Sequence, residues 1–344
     1  MSDFDFLDHF GEPEEIVDEE QLSENEAISA LNCAFVGIGG GGGKLAKAFL
    51  DIGFNKTLLI NTTPKDQPEN IDPKHLILIP DADGVAKNVE YGKSVLQENG
   101  AVVEDALRTK IGHVDWLFVL AGGGGGTGSS CFALDSVFRR YLNSVEAKGT
   151  IVYIATWPTA QELLNSTIAS NAVSLVNDVA GVPHIILDNE KQIKFLRGRV
   201  GILDLFPTAN SAFAKLFAQI LKIASEKSPI QSFDSKDLER CLRTQKRTII
   251  GTTVIKNPKT PSLGATIFQN CLKRSPCPNL EGTSKTGTML LVINPEMAKD
   301  PDISKHLDAA ISYVGGRTET LFSGIYIKEN IPGLIAILTM GGLD

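Results

Sequence analysis

The sequence predicts an α/β protein with a doubly wound, mostly parallel sheet, a long helix and a smaller α+β domain built on a mixed sheet. Three observations predict it. Short apolar runs alternate with helical spacing in the first half of the chain, two glycine clusters each follow an apolar run, and strands predominate after about Thr248. Such strand–helix alternation is typical of doubly wound sheets.

Six apolar runs of the length of a buried parallel strand make up the predicted first sheet. They are Cys33–Ile38, Thr57–Ile60, His75–Ile79, Trp116–Leu120, Ile151–Ala155 and His184–Leu187. Helical spacing between them is clearest over Leu45–Ile52 and Val89–Leu107. The five glycines Gly39–Gly43 are expected to form a loop between the first strand and its helix.

A long amphipathic helix is predicted over Ala209–Ser225, with Pro207 just before it and Pro229 after it. Strands dominate the remainder of the chain, which predicts a second, α+β domain. Its predicted strands are Thr248–Ile255, Met289–Ile293, Gly324–Ile327 and Leu334–Leu338, and its predicted helices are Gly264–Leu272 and Asp302–Val314.

Composition narrows the classes of function. A length of 344 residues suggests about two packed units. No apolar run approaches the roughly 20 residues that span a bilayer, and the acidic N-terminus is not a targeting signal, so we expect a cytoplasmic protein without direct membrane insertion. Nucleic acid is not an expected partner. The five scattered cysteines indicate buried, reduced thiols and no metal site held by the protein itself.

The first thirty residues form an acidic arm that is predicted to be disordered. Eleven carboxylates lie there, whereas the first cation of the chain is Lys44, so the remaining chain is mildly basic. An apolar cluster interrupts the arm, formed by Phe4, Phe6, Leu7 and Phe10. The cluster suggests docking to a partner or to the chain's own body, and a solubilising tail is the open alternative.

The first glycine cluster indicates a phosphate site. Glycines let the backbone turn its N–H groups toward an anion, and the following helix adds its dipole. Gly37, Gly39 and Gly42 also fit the GxGxxG dinucleotide pattern, which keeps a Rossmann-type oxidoreductase open. Asn61-Thr62-Thr63 stands where that class needs an acidic residue for the ribose, which weakens this reading.

The second cluster, Gly122–Gly126 followed by Thr127-Gly128-Ser129, again stands between a predicted strand and a helix. Two such loops at the carboxyl ends of neighbouring parallel strands can enclose one triphosphate from both sides. The segment Gly124–Ser129 resembles the GGGTGSG signature of the tubulin and FtsZ superfamily, and Gly37–Gly43 resembles the first nucleotide loop of FtsZ.

The resemblance covers about residues 32 to 342 and is closer to FtsZ than to eukaryotic tubulin. It implies a Rossmann-like GTPase that binds GTP and GDP with Mg²⁺ and polymerises head to tail with copies of itself. Four segments follow from it. They are the arm, 1–30, the nucleotide-binding GTPase domain, 31–207, the core helix with the catalytic loop, 208–247, and the C-terminal activation or assembly domain, 248–344.

The resemblance also implies the residues that hold the nucleotide. Glu162 would contact the ribose, Phe206 would stack on guanine, and Asn210 would read the base edge. The full expected GTP-binding set is Gly39, Gly40, Gly41, Gly42, Gly43, Lys44, Asn61, Asn88, Gly124, Gly125, Gly126, Thr127, Gly128, Ser129, Glu162, Phe206 and Asn210. An amide can complement the N1–H and O6 of guanine, although Asn210 could instead cap the long helix.

Asp234 and Asp237 match the two carboxylates of the loop that, in the family, completes the nucleotide pocket of the next subunit. They are therefore the expected catalytic residues. Carboxylates can orient and polarise a water for attack on the γ-phosphate, so hydrolysis would require assembly. The alternative is a helix N-cap at Asp234 with Asp237 in the first turn, and the two uses are compatible.

Several positions depart from the FtsZ pattern and motivate an alternative, a nucleotide-binding filament or scaffold protein with little or no turnover. They are Lys44, Ser130, Ser166, Ser211 and Ser232. Lys44 would attract the triphosphate or remain a solvated lysine. The chain ends at Gly341-Gly342-Leu343-Asp344, directly after the last predicted strand, so the expectation includes a phage- or plasmid-encoded filament or a specialised paralogue.

Overall fold

The computed structural model describes residues 26–80, 82–279 and 282–343. They form two compact units, one containing Leu31–Lys215 and the other containing Ile28–Ala30 and the chain from Leu216 onward. Most of the predicted acidic arm, including its apolar cluster at Phe4 to Phe10, lies outside the described residues.

The first unit contains a parallel sheet of six strands. They are β1 (Cys33–Ile38), β2 (Thr57–Asn61), β3 (Leu76–Leu78), β4 (Trp116–Gly122), β5 (Ile151–Trp157) and β6 (His184–Asp188). The order is β3-β2-β1-β4-β5-β6, and every pairing in it is parallel. All residues of β1 and β2 are buried, as in a sheet covered on both faces. The predicted doubly wound sheet is confirmed.

The strand order reverses between β1 and β4. The chain continues outward from β1 to β2 and β3 on one side, and from β4 to β5 and β6 on the other. The carboxyl ends of β1 and β4 lie side by side, because Ile38 is in register with Ala121. A crevice forms at such a reversal, and ligands of open α/β sheets bind there.

Helices cover this sheet. They are α1 (Gly39–Leu50), α2 (Val89–Glu98), α3 (Gly100–Ala106), α4 (Gly126–Ser129), α5 (Asp135–Ser144), α6 (Ser166–Val179) and α7 (Asn189–Leu196). On one face, Phe35 of β1 stacks on Phe49 of α1 at 3.9 Å between ring centroids and on Phe118 of β4 at 5.1 Å. These buried rings fix α1 against the two central strands.

The predicted glycine loop after β1 is wrong, because α1 begins at Gly39 and includes all five glycines. A Cβ on Gly42 would lie 2.1 Å from the carbonyl oxygen of Leu120, and one on Gly37 would lie 2.5 Å from that of Gly42. The lack of side chains therefore lets the first turns of α1 pack directly on β4. This tertiary contact overrides the low helix propensity of glycine.

Two predicted helix boundaries also differ. The helix expected over Val89–Leu107 is interrupted at Asn99, and a Cβ on the next residue, Gly100, would lie 2.9 Å from Val137 Cγ2. The long helix α8 covers Leu205–Ile223, so Pro207 lies in its first turn instead of before it. Proline is tolerated there because first-turn N–H groups have no partner within the helix.

The second unit has a mixed four-stranded sheet of order β7-β10-β8-β9, as predicted. Its strands are β7 (Arg247–Ile255), β8 (Ser284–Ile293), β9 (Thr318–Ile327) and β10 (Leu334–Leu343), and its helices are α9 (Ser235–Leu242), α10 (Leu263–Arg274), α11 (Pro295–Ala298) and α12 (Ile303–Gly315). Strand β10 runs antiparallel to β7 and β8, whereas β8 and β9 are parallel.

The five cysteines are buried free thiols, as expected. Burial raises the pKa of the Cys131, Cys241 and Cys271 thiols. None of the helices in the described ranges is both long and apolar enough to cross a bilayer.

Candidate functional site

A cavity of about 500 Å³ lies in the crevice of the first unit. Residues at or just after the carboxyl ends of β1, β2, β4, β5 and β6 line it, which is where the strand order predicts a ligand site. The lining residues at or just after these strand ends are Gly40, Gly41, Asn61, Thr62, Gly122, Gly124, Thr156, Pro158 and Asn189. Both glycine clusters therefore contribute to a single cavity.

The first glycine cluster places the N-terminal end of α1 at the cavity. Gly39 has φ +71°, and a Cβ there would lie 2.8 Å from the backbone nitrogen of Gly128. Glycine is favoured in this backbone conformation, and its lack of a Cβ permits the close approach to the second cluster. Gly40, Gly41 and Lys44 line the cavity. Gly39, Gly42 and Gly43 do not line it, and Gly42 serves the packing of α1.

The second glycine cluster presents bare backbone to the cavity, lined by Gly124, Gly125, Gly126, Thr127 and Gly128. A Cβ on Gly125 would meet no protein atom within 4 Å, so the space beside it is open. The Oγ1 atoms of Thr127 and Thr62 share a buried hydrogen bond of 2.8 Å, which joins this cluster to the loop after β2. Ser129 is fully buried and does not line the cavity.

Ser130, one of the departures from the FtsZ pattern, has a structural role here. Its hydroxyl lies 2.8 Å from the carbonyl oxygens of both Val89 and Gly126 and can donate to either. Gly92 makes room for it, since a Cβ on Gly92 would lie 2.5 Å from this hydroxyl. Ser130 thus connects the start of α2 to the second glycine cluster.

Phe206 and Asn210 line the same cavity one helical turn apart, as the i, i+4 spacing predicts. Asn210 is the sixth residue of α8, so the helix-cap alternative is wrong. Glu162 also lines the cavity, and its carboxylate accepts hydrogen bonds from the backbone nitrogen of Thr159 at 2.7 Å and from the Thr159 hydroxyl at 2.8 Å. Asn88 does not line the cavity. It caps α2 by accepting from the backbone nitrogen of Tyr91 at 3.0 Å.

Sequence reasoning did not single out two of the polar side chains that line the cavity, Asp66 and Asn189. Asn189 directly follows β6, so its place at a strand end was a signal that could have found it. Asp66 ends the short 3-10 helix Pro64–Asp66 after β2, and Lys87 lies in the segment between β3 and α2. No periodicity marks such positions, and only the folded chain brings them to the cavity.

Asp234 and Asp237 belong to the second unit and do not line this cavity. Asp234 caps α9 and accepts from the backbone nitrogens of Lys236 at 2.5 Å and Asp237 at 3.3 Å, so the capping interpretation is confirmed. Burial and the neighbouring Asp234 charge raise the pKa of Asp237. A raised pKa makes a carboxylate a better proton acceptor.

The loop before Asp234 is anchored on β9. Gln231 forms a β-bridge with Ile325. The Tyr326 hydroxyl accepts from the backbone nitrogen of Phe233 at 2.9 Å and lies 3.1 Å from the Phe233 carbonyl oxygen, to which it can donate. These contacts hold the backbone just before Asp234 against β9.

Among the described residues, no cluster of three or more His, Cys, Asp or Glu side chains is placed to hold a metal ion. The acidic side chains that line the cavity are Asp66 and Glu162. Glu162 is already hydrogen-bonded to Thr159.

No protein-family model matches this chain, and no curated protein does. Solved structures do match. CetZ2 from Haloferax volcanii, in a GTPγS-bound protofilament, is 18% identical, with 91% of this chain and 94% of that chain covered and a TM-score of 0.72. TubZ from Bacillus thuringiensis, in a GTPγS-form protofilament, is 16% identical, with 93% and 90% covered and a TM-score of 0.73. FtsZ from M. jannaschii is 16% identical, with 94% and 90% covered and a TM-score of 0.66.

Proposed function

Because this chain has the tubulin/FtsZ fold, we propose that it binds GTP in the crevice cavity and hydrolyses it when copies assemble head to tail. One observation carries the proposal. Two glycine clusters on adjacent parallel strands, together with Phe206 and Asn210 on one face of α8, line a single cavity of about 500 Å³. That volume lies within the range of small-molecule sites.

The cavity suits a nucleoside triphosphate. Backbone N–H groups of glycine-rich segments and the positive end of α1 favour phosphates. Lys44 and Lys87 add cationic side chains to the lining. Phe206 offers a ring for stacking, and the Asn210 amide offers a donor and an acceptor for a base edge.

The cavity lining offers the Asp66 carboxylate as a ligand for Mg²⁺. Magnesium in nucleotide sites is usually held by one or two carboxylates together with phosphate oxygens and water. Asp66 lines the cavity, and no hydrogen bond or ion pair of its carboxylate is found within the described residues. Asp66 would hold the ion, which would neutralise charge on the phosphates.

Hydrolysis would be completed in trans by Asp234 and Asp237 of the next subunit. Two facts support this assignment, the raised pKa of Asp237 and the anchoring of the preceding loop on β9. The related folds in protofilaments support head-to-tail assembly. A carboxylate held at the γ-phosphate would orient the attacking water.

Light scattering and phosphate release, measured together with GTP, GDP and NADH, test this function. The proposal expects scattering and phosphate release with GTP above a critical protein concentration. Scattering with GTP but without phosphate release would favour the non-hydrolysing scaffold, an alternative motivated by Ser232 in place of the expected asparagine of the catalytic loop. The absence of both scattering and phosphate release with GTP, at every protein concentration, would overturn the proposal.

Guanine selectivity should depend on Asn210. We expect Asn210→Leu to weaken GTP binding about tenfold to a hundredfold, because one or two base hydrogen bonds in a desolvated site contribute about 1–3 kcal/mol. Asn177→Leu is the matched control, since Asn177 is exposed on α6 and does not line the cavity. Equilibrium titration with GTP and with ATP measures the affinities of the unmodified protein and of the two variants. Equal affinity of the unmodified protein for ATP and GTP would contradict the assignment.

Assembly should depend on exposed apolar side chains that are close in sequence to cavity-lining residues. Leu164, which lies shortly after the cavity-lining Glu162 in the sequence, is 85% exposed. Leu203, which lies shortly before the cavity-lining Phe206, is 86% exposed. We expect Leu203→Asp to raise the critical concentration tenfold or more, because burial of a leucine contributes about 1.5–3 kcal/mol. Sedimentation in the presence of GTP measures it.

The control for this substitution is Val102→Asp, at an exposed apolar residue of α3 with no cavity-lining residue nearby in the sequence. Nucleotide binding by the Leu203→Asp monomer should be unchanged. If the Leu203→Asp and Val102→Asp variants have equal critical concentrations, Leu203 does not lie in the assembly contact.

A further inference from the structure

Two of the three most exposed large apolar side chains among the described residues are neighbours in the sequence. Ile202 is 83% exposed and Leu203 is 86% exposed. They lie in segment 194–203, which covers the end of α7 and most of the connection to α8. Exposed apolar side chains that lie together mark sites of protein interaction.

The same segment is basic. It contains Lys194, Arg197 and Arg199, all exposed, and no aspartate or glutamate. Lys194 pairs with Glu190 at 3.7 Å, whereas Arg197 has no ion pair within the described ranges. The first carboxylate after the segment is that of Asp204. Arg197 is therefore available to a carboxylate from elsewhere.

The acidic arm has the complementary chemistry. Its eleven carboxylates are accompanied by no lysine or arginine. The apolar cluster lies among them, so that Phe4 and Phe6 alternate with Asp3 and Asp5. Complementary charges steer two surfaces together and fix their register, and burial of apolar side chains supplies affinity. The arm therefore matches segment 194–203 both in charge and in apolar character.

The arm starts at the end of the first unit that is opposite to the cavity. The described chain begins at Glu26, and the backbone nitrogen of Ala27 donates to the carbonyl oxygen of Gly53 at 2.9 Å. Gly53 lies between the end of α1 and the start of β2, at the edge of the sheet where the strands begin. Helix α1 covers the distance from the cavity to this edge, about 18 Å for its 12 residues.

Segment 194–203 lies at the cavity end instead. It is part of the connection between Asn189 and Phe206, and both of these residues line the cavity. In the proposed head-to-tail assembly, the end of one subunit that is opposite to its cavity faces the cavity end of the next. The arm therefore starts close to segment 194–203 of a neighbouring copy. The residues before Glu26 span at most about 80 to 90 Å when extended, which is ample for this contact.

We propose that the acidic arm of one subunit docks on segment 194–203 of the adjacent copy. Its phenylalanines cover Ile202 and Leu203, and its carboxylates lie beside the three cations of the segment. This inference rests on the proposed head-to-tail assembly. The arm is tethered to the subunit that it joins to its neighbour, so its docking strengthens the longitudinal contact through a high effective concentration.

Cross-linking between two populations of the full chain tests the pairing. One population carries Gly11→Cys, next to the apolar cluster of the arm, and the other carries Gly201→Cys, next to Ile202. The five native cysteines are buried, so a bismaleimide reacts with the introduced thiols. The control for Gly201→Cys is Val102→Cys, at an exposed residue of α3.

The mixtures are assembled with GTPγS, light scattering confirms that filaments form, and a mass tag on one population identifies mixed dimers on a denaturing gel. We expect at least about tenfold more mixed dimers with Gly201→Cys than with Val102→Cys, as for a contact that buries an apolar side chain. Arg197→Glu in the Gly201→Cys population should lower the yield about twofold to fivefold, as for loss of a surface ion pair. Lys305→Glu, the same reversal of charge at an exposed lysine of α12, should leave the yield unchanged.

The critical concentration gives a second readout. Phe6→Ser combined with Phe10→Ser should raise it about tenfold, because the arm loses its apolar contact while keeping its charge. In a chain that also carries Leu203→Asp, the same two substitutions should raise it no further, since the surface that they would contact is already lost.

Two results would overturn the inference while the proposed function stands. One is a yield of mixed dimers no higher than in the Val102→Cys control, in mixtures that do form filaments. The other is a chain carrying both Gly11→Cys and Gly201→Cys that cross-links only within itself, which would mean that the arm docks on its own subunit. If no filaments form with GTPγS, the proposed function and this inference both fail.

Discussion

Replacing Asp237 with alanine should reduce GTP hydrolysis about a hundredfold or more, the range attributed to a positioned proton acceptor. GTP binding by the monomer should be nearly unchanged, because the cavity is lined by residues of the first unit alone. Filaments should still form with GTP and then persist, since the triphosphate is no longer converted. Phosphate release above the critical concentration measures the loss, and an unchanged rate would contradict the assignment.

A mixing experiment shows whether Asp237 acts in trans. Thr127→Arg should block the cavity, which Thr127 lines, while it leaves the α9 loop intact. If such subunits join filaments of Asp237→Ala, their intact loop should restore part of the phosphate release. Each variant measured alone should release phosphate more slowly than the mixture. If the mixture releases phosphate no faster than the two variants measured separately, action in trans is contradicted.

The pH dependence of hydrolysis gives an independent readout of the same carboxylate. Asp237 must be deprotonated to accept a proton, and burial together with Asp234 raises its pKa. The rate should therefore begin to fall, as pH decreases, at a higher pH than for an ordinary aspartate. Asp234→Asn should shift this acidic limb to lower pH, because it removes the repulsion and keeps a capping residue.

Replacing Gly42 with alanine should destabilise the first unit by about 3 kcal/mol or more, the upper range for overpacking. The added Cβ would lie 2.1 Å from the Leu120 carbonyl oxygen, and a backbone oxygen of a central strand cannot move aside. Denaturant titration without nucleotide, followed by circular dichroism, measures the change.

Gly43 offers a matched control in the next position of the same helix. A Cβ there would lie 3.6 Å from Leu59 Cδ2, an ordinary contact. Gly43→Ala should therefore be neutral or stabilise the protein by up to about 1 kcal/mol, as expected of glycine replaced within a helix. Equal unfolding midpoints for the two variants would show that α1 does not pack on β4 as described.

Strands β1, β2, β4, β5 and β6 were predictable because each is a mostly buried apolar run, and burial on both faces leaves that pattern in any single sequence. The i, i+4 spacing of Phe206 and Asn210 likewise predicted a shared helix face. The helix boundaries were harder to predict. The glycines of α1 and the break at Asn99 follow from close contacts with β4 and with Val137, and propensity does not report such contacts.

By itself the sequence determined the doubly wound sheet, the mixed second sheet, the two glycine clusters and the resemblance they carry. Periodicity and composition are local properties, and a local pattern suffices for each of these. Only the tertiary structure decided that Asp66 lines the same cavity as the glycines, and that the Asn171 side chain donates to the carbonyl oxygen of Lys87. These residues come from segments far apart in the chain, and their meeting depends on strand order and loop conformation, which no local pattern encodes.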